Sequence, residues 1–430
     1  MSIAVGCLFV VFSGGVTAEP FVDLDPDTDL DGDGTATNPY EISNASELQA
    51  MGGNLSANYT LVGTIEAANT SAWNGGAGFV PIGNDTHRFT GTFDGNEKMI
   101  RDLAINRTTD SPVGLFGAAD GAVIERVGLD DVDIVGNASA GGTIFVGGLV
   151  GNLSGTITNS SVTGSVTGSD TAGGLVGNLN GTVTDSSANS SVDGGSRVGG
   201  LIGFNADGEI ETSYAVGEVD GSNSATDPGG LVGNNTGTVK NSYWDTVSTD
   251  QDASDGGSGL TKDQMTGHDA TANMDGFEFY DHWIPTNEDY PVLTWEFFAE
   301  STGDGTEQNP YRVGDSYGLQ AIDADLTANY TLSGTIDMSE TAAWNDGAGF
   351  EPIANGSSFS GSIDGEGNTI SDLPINRSST ESVGLVSFTG DTSTISNLTV
   401  TNATISGHRS VGTIVGTNSG TVSGVHVSTT

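Results

Sequence analysis

Four copies of one short motif constrain this chain more than anything else in it. Gly147-Gly148-Leu149-Val150-Gly151 recurs as Gly173-Gly174-Leu175-Val176-Gly177, Gly199-Gly200-Leu201-Ile202-Gly203 and Gly229-Gly230-Leu231-Val232-Gly233. The leucines stand at 149, 175, 201 and 231, so the spacings are 26, 26 and 30 residues. Each copy is followed by a second β-like run: Thr156–Ser160, Thr182–Ser186, Glu209–Ser213 and Thr238–Ser242. Val166, Val192 and Val219 then mark a third run in the first three coils. One such unit is too short to bury its own apolar residues. Stacked units bury them in continuous rows, with glycine at tight corners and close backbone contacts. The repeat predicts an all-β fold, a right-handed parallel β-helix, with a bulging loop at the longer spacing near Asn223–Pro228. Asn159, Asp185, Thr212 and Asn241 hold one equivalent position, which predicts a polar ladder at a corner.

A second, coarser repeat overlies the first. Ala57-Asn58-Tyr59-Thr60-Leu61 returns as Ala328-Asn329-Tyr330-Thr331-Leu332, and Trp73 as Trp344, both at an offset of 271. Each copy opens with a short amphipathic stretch, Ser43–Met51 and Asp315–Ile322, which reads as a capping helix. Between the copies lies an aromatic segment with Phe277, Phe279, Trp283, Tyr290, Trp295, Phe297 and Phe298. Thr261-Lys262-Asp263-Gln264 ahead of it fits a capping box. The organisation read from these signals is a signal segment over 1–18, an acidic linker over 19–34, and a first complete β-helix over 35–246. An aromatic capping and connecting module over 247–299 follows, then a second, incomplete β-helix over 300–430. The aromatic residues are expected to plug the end of the first helix. The last coil is expected to need a partner, or further chain, over its open edge.

Charge narrows the setting. Lys and Arg number 11 against 56 Asp and Glu, a formal net charge of −45. No basic surface is available for nucleic acid, whose phosphates need clustered cations. Uncompensated carboxylates repel in dilute solution, whereas molar salt shortens the Debye length to about 3 Å. The composition is that of a protein kept soluble in strong brine, with a calcium-rich secreted protein as the rival reading. Cys7 is the single cysteine, which excludes an internal disulfide framework and a Cys-based zinc cluster. Ile3–Phe12 is apolar but too short to span a bilayer, and Val16-Thr17-Ala18 reads as a cleavage site. Export is therefore expected, with no transmembrane segment in the mature chain. Asn58, Asn106, Asn159, Asn234, Asn329 and Asn397 are candidate glycosylation sites within Asn-x-Ser/Thr triplets.

Three sets of residues could carry chemistry. Asp27, Asp29, Asp31 and Asp33 alternate like the first half of a calcium loop, with Gly32 at the turn, although Asn38 stands where a bidentate Glu belongs. The plain alternative is an acidic linker. Asp94 with Glu97, and Asp364 with Glu366, sit in Gly-rich turns; Asp130, Asp131 and Asp133 cluster near Arg126. Turn chemistry and surface acidity account for both groups, and no catalytic residue is assigned. Arg101, Arg107 and Arg377 are expected to pair with surface carboxylates. His268 and His282 flank the aromatic segment and are expected to pack there. No His-x-x-x-His or Cys-linked metal motif occurs, and no cofactor other than calcium is expected.

The Gly-Leu-Val-Gly core at Leu149-Val150-Gly151 and its repeats resembles that of the GLUG-repeat proteins. Phe89-Thr90-Gly91-Thr92-Phe93-Asp94-Gly95-Asn96 looks like that family's upstream rung. Asn241-Ser242-Tyr243-Trp244, Gly259-Leu260, Gln264-Met265 and Tyr290–Trp295 look like its C-terminal module. With the acidity, the chain is similar to haloarchaeal surface proteins of this type. The resemblance implies a β-helix outside the cell or on its surface and brings no catalytic residue set. The expected role is structural or adhesive, with glycans or other surface proteins as partners. The alternative is a β-helix polysaccharide lyase or glycoside hydrolase.

Overall fold

The computed structural model describes residues 30–428, apart from 109–110, 138–142, 222–227, 288 and 301–302. The expected signal segment, Asp27 and Asp29, and most of the expected loop at Asn223–Pro228 lie outside the described residues. The strands of the coils pair in parallel, and the stacked coils form a β-solenoid of about 11 turns.

The rows are continuous because equivalent residues pair coil to coil. One row runs Tyr40, Tyr59, Phe93, Ile124, Ile157, Val183, Ile210 and Val239. Another runs Ile65, Ile100, Leu129, Val162, Ala188, Ala215 and Trp244. Nearly all of these side chains are buried, and each aliphatic one contributes roughly 1.5–3 kcal/mol relative to exposure. The second copy repeats the pattern with Tyr311, Tyr330, Ile363, Ile395 and Val422. At its last coil the rows emerge into solvent, with Val411, Val422 and Val427 exposed.

The second glycine of each motif is a close-contact residue. A Cβ on Gly148 would lie 2.4 Å from the Gly174 carbonyl oxygen, and one on Gly174 would lie 2.3 Å from that of Gly200. The backbones touch here because Gly148 N donates to Gly174 O and Gly174 N to Gly200 O, both at 3.1 Å.

The corner after the second strand is built from two adjacent residues. Asn159, Asp185, Thr212 and Asn241 all adopt left-handed backbone, with φ of 49°, 44°, 44° and 44°. The polar ladder forms in part: Thr212 Oγ1 donates to Asp185 Oδ1 at 2.7 Å. The next residue is always serine and always buried: Ser160, Ser186, Ser213 and Ser242. Each hydroxyl donates to the carbonyl two residues back, at 2.7–2.9 Å. The hydroxyls of Ser186, Ser213 and Ser242 also accept the serine N–H of the preceding coil, at 3.2–3.3 Å. The ladder satisfies backbone groups that a turning strand would leave unpaired.

Both copies start as expected. Helix Ala45–Ala50 is capped by Asn44, which accepts from Ser46 N and Glu47 N, and Leu48 and Met51 are fully buried. Helix Ser316–Gln320 is capped by Asp315, with Leu319 and Ile322 buried.

The aromatic segment does not plug the end of the first solenoid. Trp244 closes that end, its ring lying against Gly230 and beneath strand Ser258–Leu260. The aromatic residues pack on the flank instead and wedge between the two copies. Trp283 pairs with Leu293 and Ile284 with Val292 in an antiparallel ladder. Strand alternation sends Trp283 and Leu293 toward Tyr214, Tyr243 and Met99 of the first solenoid. It sends Ile284 and Val292 toward the core of the second. Helix Thr294–Glu300 divides likewise, with Trp295 on one side and Phe297 and Phe298 on the other.

Candidate functional site: the clefts beside the aromatic module

The module seats on an outward-facing row that is small at its centre, at Gly128, Ser161 and Ser187, and bulky at its ends. Met99, Gly128, Ser161, Ser187, Tyr214 and Tyr243 follow one another across the coils. Trp295 covers Gly128, and its Nε1 donates to the Asn159 carbonyl at 3.2 Å. The buried Glu296 accepts from Ser161 Oγ and, at 3.0 Å, from Leu293 N. Tyr214 Oη donates to Pro291 O at 2.6 Å, and Tyr243 Oη to Asp275 O at 3.0 Å. Sequence reasoning missed this seat, although the alternation of Ser and Gly with bulky neighbours was its available signal.

Two clefts flank the module. The larger has a volume of about 620 Å³ and lies between the module and the second solenoid. His268, Phe279, Tyr280, Asp323, Trp344 and Glu351 line it. His268 stacks on Trp344 with centroids 5.0 Å apart, and its Nε2 accepts from Asn345 N at 3.2 Å. Burial holds the His268 imidazole below its ordinary range. Asp323 accepts from Ala354 N and from Gln320 Nε2, both at 2.7 Å. Burial nevertheless pushes its carboxyl up to about 6. The Tyr280 hydroxyl is enclosed and has no hydrogen-bond partner among the described residues.

The duplication supplies an internal control. Gln49 exchanges two hydrogen bonds with the backbone of Val80, and Gln320 does so with Glu351. The scaffold is therefore shared. At the offset of 271, Asp323 stands where the first copy has Gly52, and Glu351 where it has Val80. The two carboxylates belong to the cleft rather than to the coil.

The smaller cleft, about 480 Å³, lies on the other side of the module. Lys98, Arg126, His282, Trp295, Phe298 and Tyr311 contribute to its walls. Arg126 pairs with Asp94 at 2.6 Å and with Glu97 at 3.8 Å.

The residues singled out in the sequence fall as follows. Asp31 and Asp33 are exposed. Asp31 O accepts from Glu41 N at 2.8 Å, which covers the edge of the first strand. Asp33 Oδ1 accepts from Thr35 Oγ1 and Thr35 N, and these bonds hold its carboxyl below the usual range. Asp304 and Thr306 repeat the same turn in the second copy. Asp94 and Asp364 close turns on Asn96 N and Glu366 N. Asp131 and Asp133 line a shallow depression with Asp102, while Asp130 pairs with Arg101 at 3.3 Å. Arg107 donates to the carbonyls of Gly78 and Phe79. Arg377 lies 3.7 Å from Glu351.

Among the sequons, the Asn58 and Asn329 amides donate to Gly34 O and Gly305 O. Those of Asn234 and Asn397 donate to Asp255 and Asp364. Asn159 holds a left-handed corner beside Trp295. Asn106 is exposed.

The GLUG motif family matches residues 194–220, the coil that contains Gly199-Gly200-Leu201-Ile202-Gly203. The chain is a GLUG-repeat protein. Halomucin of Haloquadratum walsbyi is 30% identical to it over 92% of this chain. A protein of Evansella cellulosilytica, provisionally named a Gly-rich membrane protein, is 34% identical over 28% of it. This GLUG-repeat chain spans only 6% and 14% of the lengths of those two relatives. A crystal structure provisionally titled an immunoglobulin A1 protease from Bacteroides ovatus superposes with a TM-score of 0.49 at 20% identity. It covers 61% of this chain and 94% of its own. Among the described residues, no helix of the GLUG-repeat chain is long and apolar enough to cross a membrane.

Proposed function

We propose that this chain is an exported, brine-adapted solenoid of a cell surface or its surroundings, with a structural or adhesive role. The similarity to halomucin across 92% of the chain carries this reading. Its net charge of −45, with three lysines in all, supports a haloarchaeal setting, because concentrated salt screens the repulsion within such a surface. The relative named as a membrane protein fits the same placement. Glycans or neighbouring surface proteins are the partners. The larger cleft offers aromatic edges from Phe279 and Tyr280 for the C–H faces of a sugar, and carboxylate and amide groups for its hydroxyls.

One observation favours a second reading. Asp323, with its raised pKa, shares that cleft with Glu351, and paired carboxylates are what glycoside cleavage needs. Both Asp323 oxygens are engaged by the protein's own donors, which suits a positioning role better than proton delivery.

The test is to incubate the full chain, folded in strong brine, with a panel of neutral and acidic polysaccharides. Retention without new chain ends supports the binding solenoid. New reducing or unsaturated ends, lost in Asp323→Asn or Glu351→Gln, would replace it with the enzyme.

A further inference from the structure

The two copies build the same corner, and among the described residues an imidazole covers only the second. Asn74 and Asn345 both take left-handed backbone, with φ of 52° and 54°. Asn74 Nδ2 donates to Gly78 O at 2.7 Å, and Asn345 Nδ2 to Gly349 O at 2.8 Å. Gly78 N donates to Trp73 O at 3.1 Å, and Gly349 N to Trp344 O at 3.0 Å. In the first copy, Trp73 is only partly buried. In the second, His268 of the aromatic module stacks on Trp344 with the rings 13° from parallel, and Trp344 is buried.

This contact dictates where the imidazole carries its proton. The Asn345 N–H donates to His268 Nε2 at 3.2 Å, so Nε2 must be bare. The proton of the neutral ring then sits on Nδ1. Thr271 Oγ1 stands 3.5 Å from Nδ1 and gives its own proton to the His268 carbonyl at 2.8 Å, so it presents lone pairs on that side. The backbone is fixed as well, with His268 N donating to Tyr317 Oη at 3.1 Å. An imidazolium carries N–H on both nitrogens. Its Nε2–H would meet the Asn345 N–H donor against donor, and the bond would become a repulsion. Burial opposes the imidazolium, while Asp269 beside the ring and Asp346 on the corner favour it. Tyr317 stays a neutral phenol, and Asp281, Asp323 and Glu351 line the same cleft. Burial wins and keeps the ring neutral at the ordinary imidazole pKa.

We propose that His268 is a proton-operated latch between the aromatic module and the second solenoid. Neutral, it holds the Trp344–Asn345 corner that walls the larger cleft; protonated, it lets that corner go. The latch is fully closed above about pH 6.5, the ordinary imidazole value, and opens as pH falls below it. Asp323, in the same cleft, works in the opposite sense, because its protonated form favours the fold. Loosening in acid therefore cannot come from Asp323. The latch needs no ligand in the cleft, and the Trp73–Asn74 corner serves as its internal reference.

The experiment follows amide hydrogen exchange of the full chain in strong brine by mass spectrometry, on fragments covering 338–350 and 67–79. Protection is corrected for the intrinsic pH dependence of exchange. Between about pH 7.5 and about pH 5, protection over 338–350 should fall about tenfold, the scale of one lost hydrogen bond, while 67–79 holds constant. His268→Gln replaces the titrating ring with an amide of similar reach and should remove the pH dependence. His268→Ala should show the low value at both pH values, with circular dichroism confirming that it folds. Asp323→Asn should leave the fall in place. Equal protection of the unmodified chain at both pH values overturns the proposal. So does a fall that persists in His268→Gln, or one that disappears in Asp323→Asn, since either assigns the proton to another group.

Discussion

The Trp295 indole donates to the carbonyl of Asn159, 136 residues earlier in the chain, at 3.2 Å. That carbonyl belongs to a left-handed corner residue, so the turn that shapes the coil also presents the acceptor that anchors the module. Trp295→Ala removes this bond and empties the space over Gly128. The expected cost is about 3–5 kcal/mol. Chemical denaturation in brine measures it. Limited proteolysis should then cut first within 260–300, while the first solenoid resists.

The serine ladder makes a sharper case. Ser186→Ala strips the Ser160 N–H of its acceptor in a fully buried corner, and this costs about 1–3 kcal/mol. Serine to alanine at the exposed Ser56, which closes a local turn on Asn54, should cost well under 1 kcal/mol. Equal losses at the two positions would mean that the ladder carries no special weight.

Two glycines should respond in opposite senses. Gly174→Ala drives a methyl to 2.3 Å from the Gly200 carbonyl, so the coils must separate locally, at a cost of about 1–3 kcal/mol. Gly63 has open space around an added Cβ and needs no positive φ. Gly63→Ala should be neutral, or stabilising by about 0.4–1 kcal/mol through the unfolded state. Thermal melts of the two variants beside the parent decide it.

Asp323 should give the second solenoid a pH dependence. Its folded pKa, about 6, lies above the ordinary aspartate value near 3.9. A raised acid favours the fold while protonated, so its contribution is fully present below about pH 4. That contribution is lost as pH rises from about 4 through 6. Discounted for partial exposure, the loss is about 1–2 kcal/mol. Asp323→Asn should flatten this part of the stability profile, measured by denaturant midpoints between pH 4 and 7. An unchanged slope would show that Asp323 titrates normally.

Salt should matter throughout. With 56 acidic residues against 11 basic ones, diluting the salt lengthens the Debye length from about 3 Å at 1 M to about 10 Å at 0.1 M. The melting temperature should fall steadily across that range. Sodium and potassium salts should act alike if screening is the cause.

Much of the fold was legible because a solenoid is nearly one-dimensional. Each coil contacts its neighbours in sequence, so a period of 26 residues already encodes which residues stack. The rows from Leu149 to Leu231 and from Ile157 to Val239, the polar corner and both capping helices followed from local pattern alone, whereas the left-handed backbone of that corner did not. The serine hydroxyls were harder to read, since their acceptors and donors lie one coil apart.

The place of the aromatic module was not legible. Hydrophobicity told that Trp283, Trp295 and Phe298 must be covered, but not by what, because an exposed end and a flank of small residues accept aromatic rings equally well. Long-range packing chose the flank, through Trp295 on Gly128 and Glu296 on Ser161. The same choice opened the cleft that holds Asp323 and Glu351, and set His282 beside Asp185. Sequence by itself determined the coil, its period, its corners and its acidic charge, all of which depend on near neighbours and composition. Only the tertiary structure decided where acids and aromatics from distant segments meet, because nothing in a repeat records contacts made outside it.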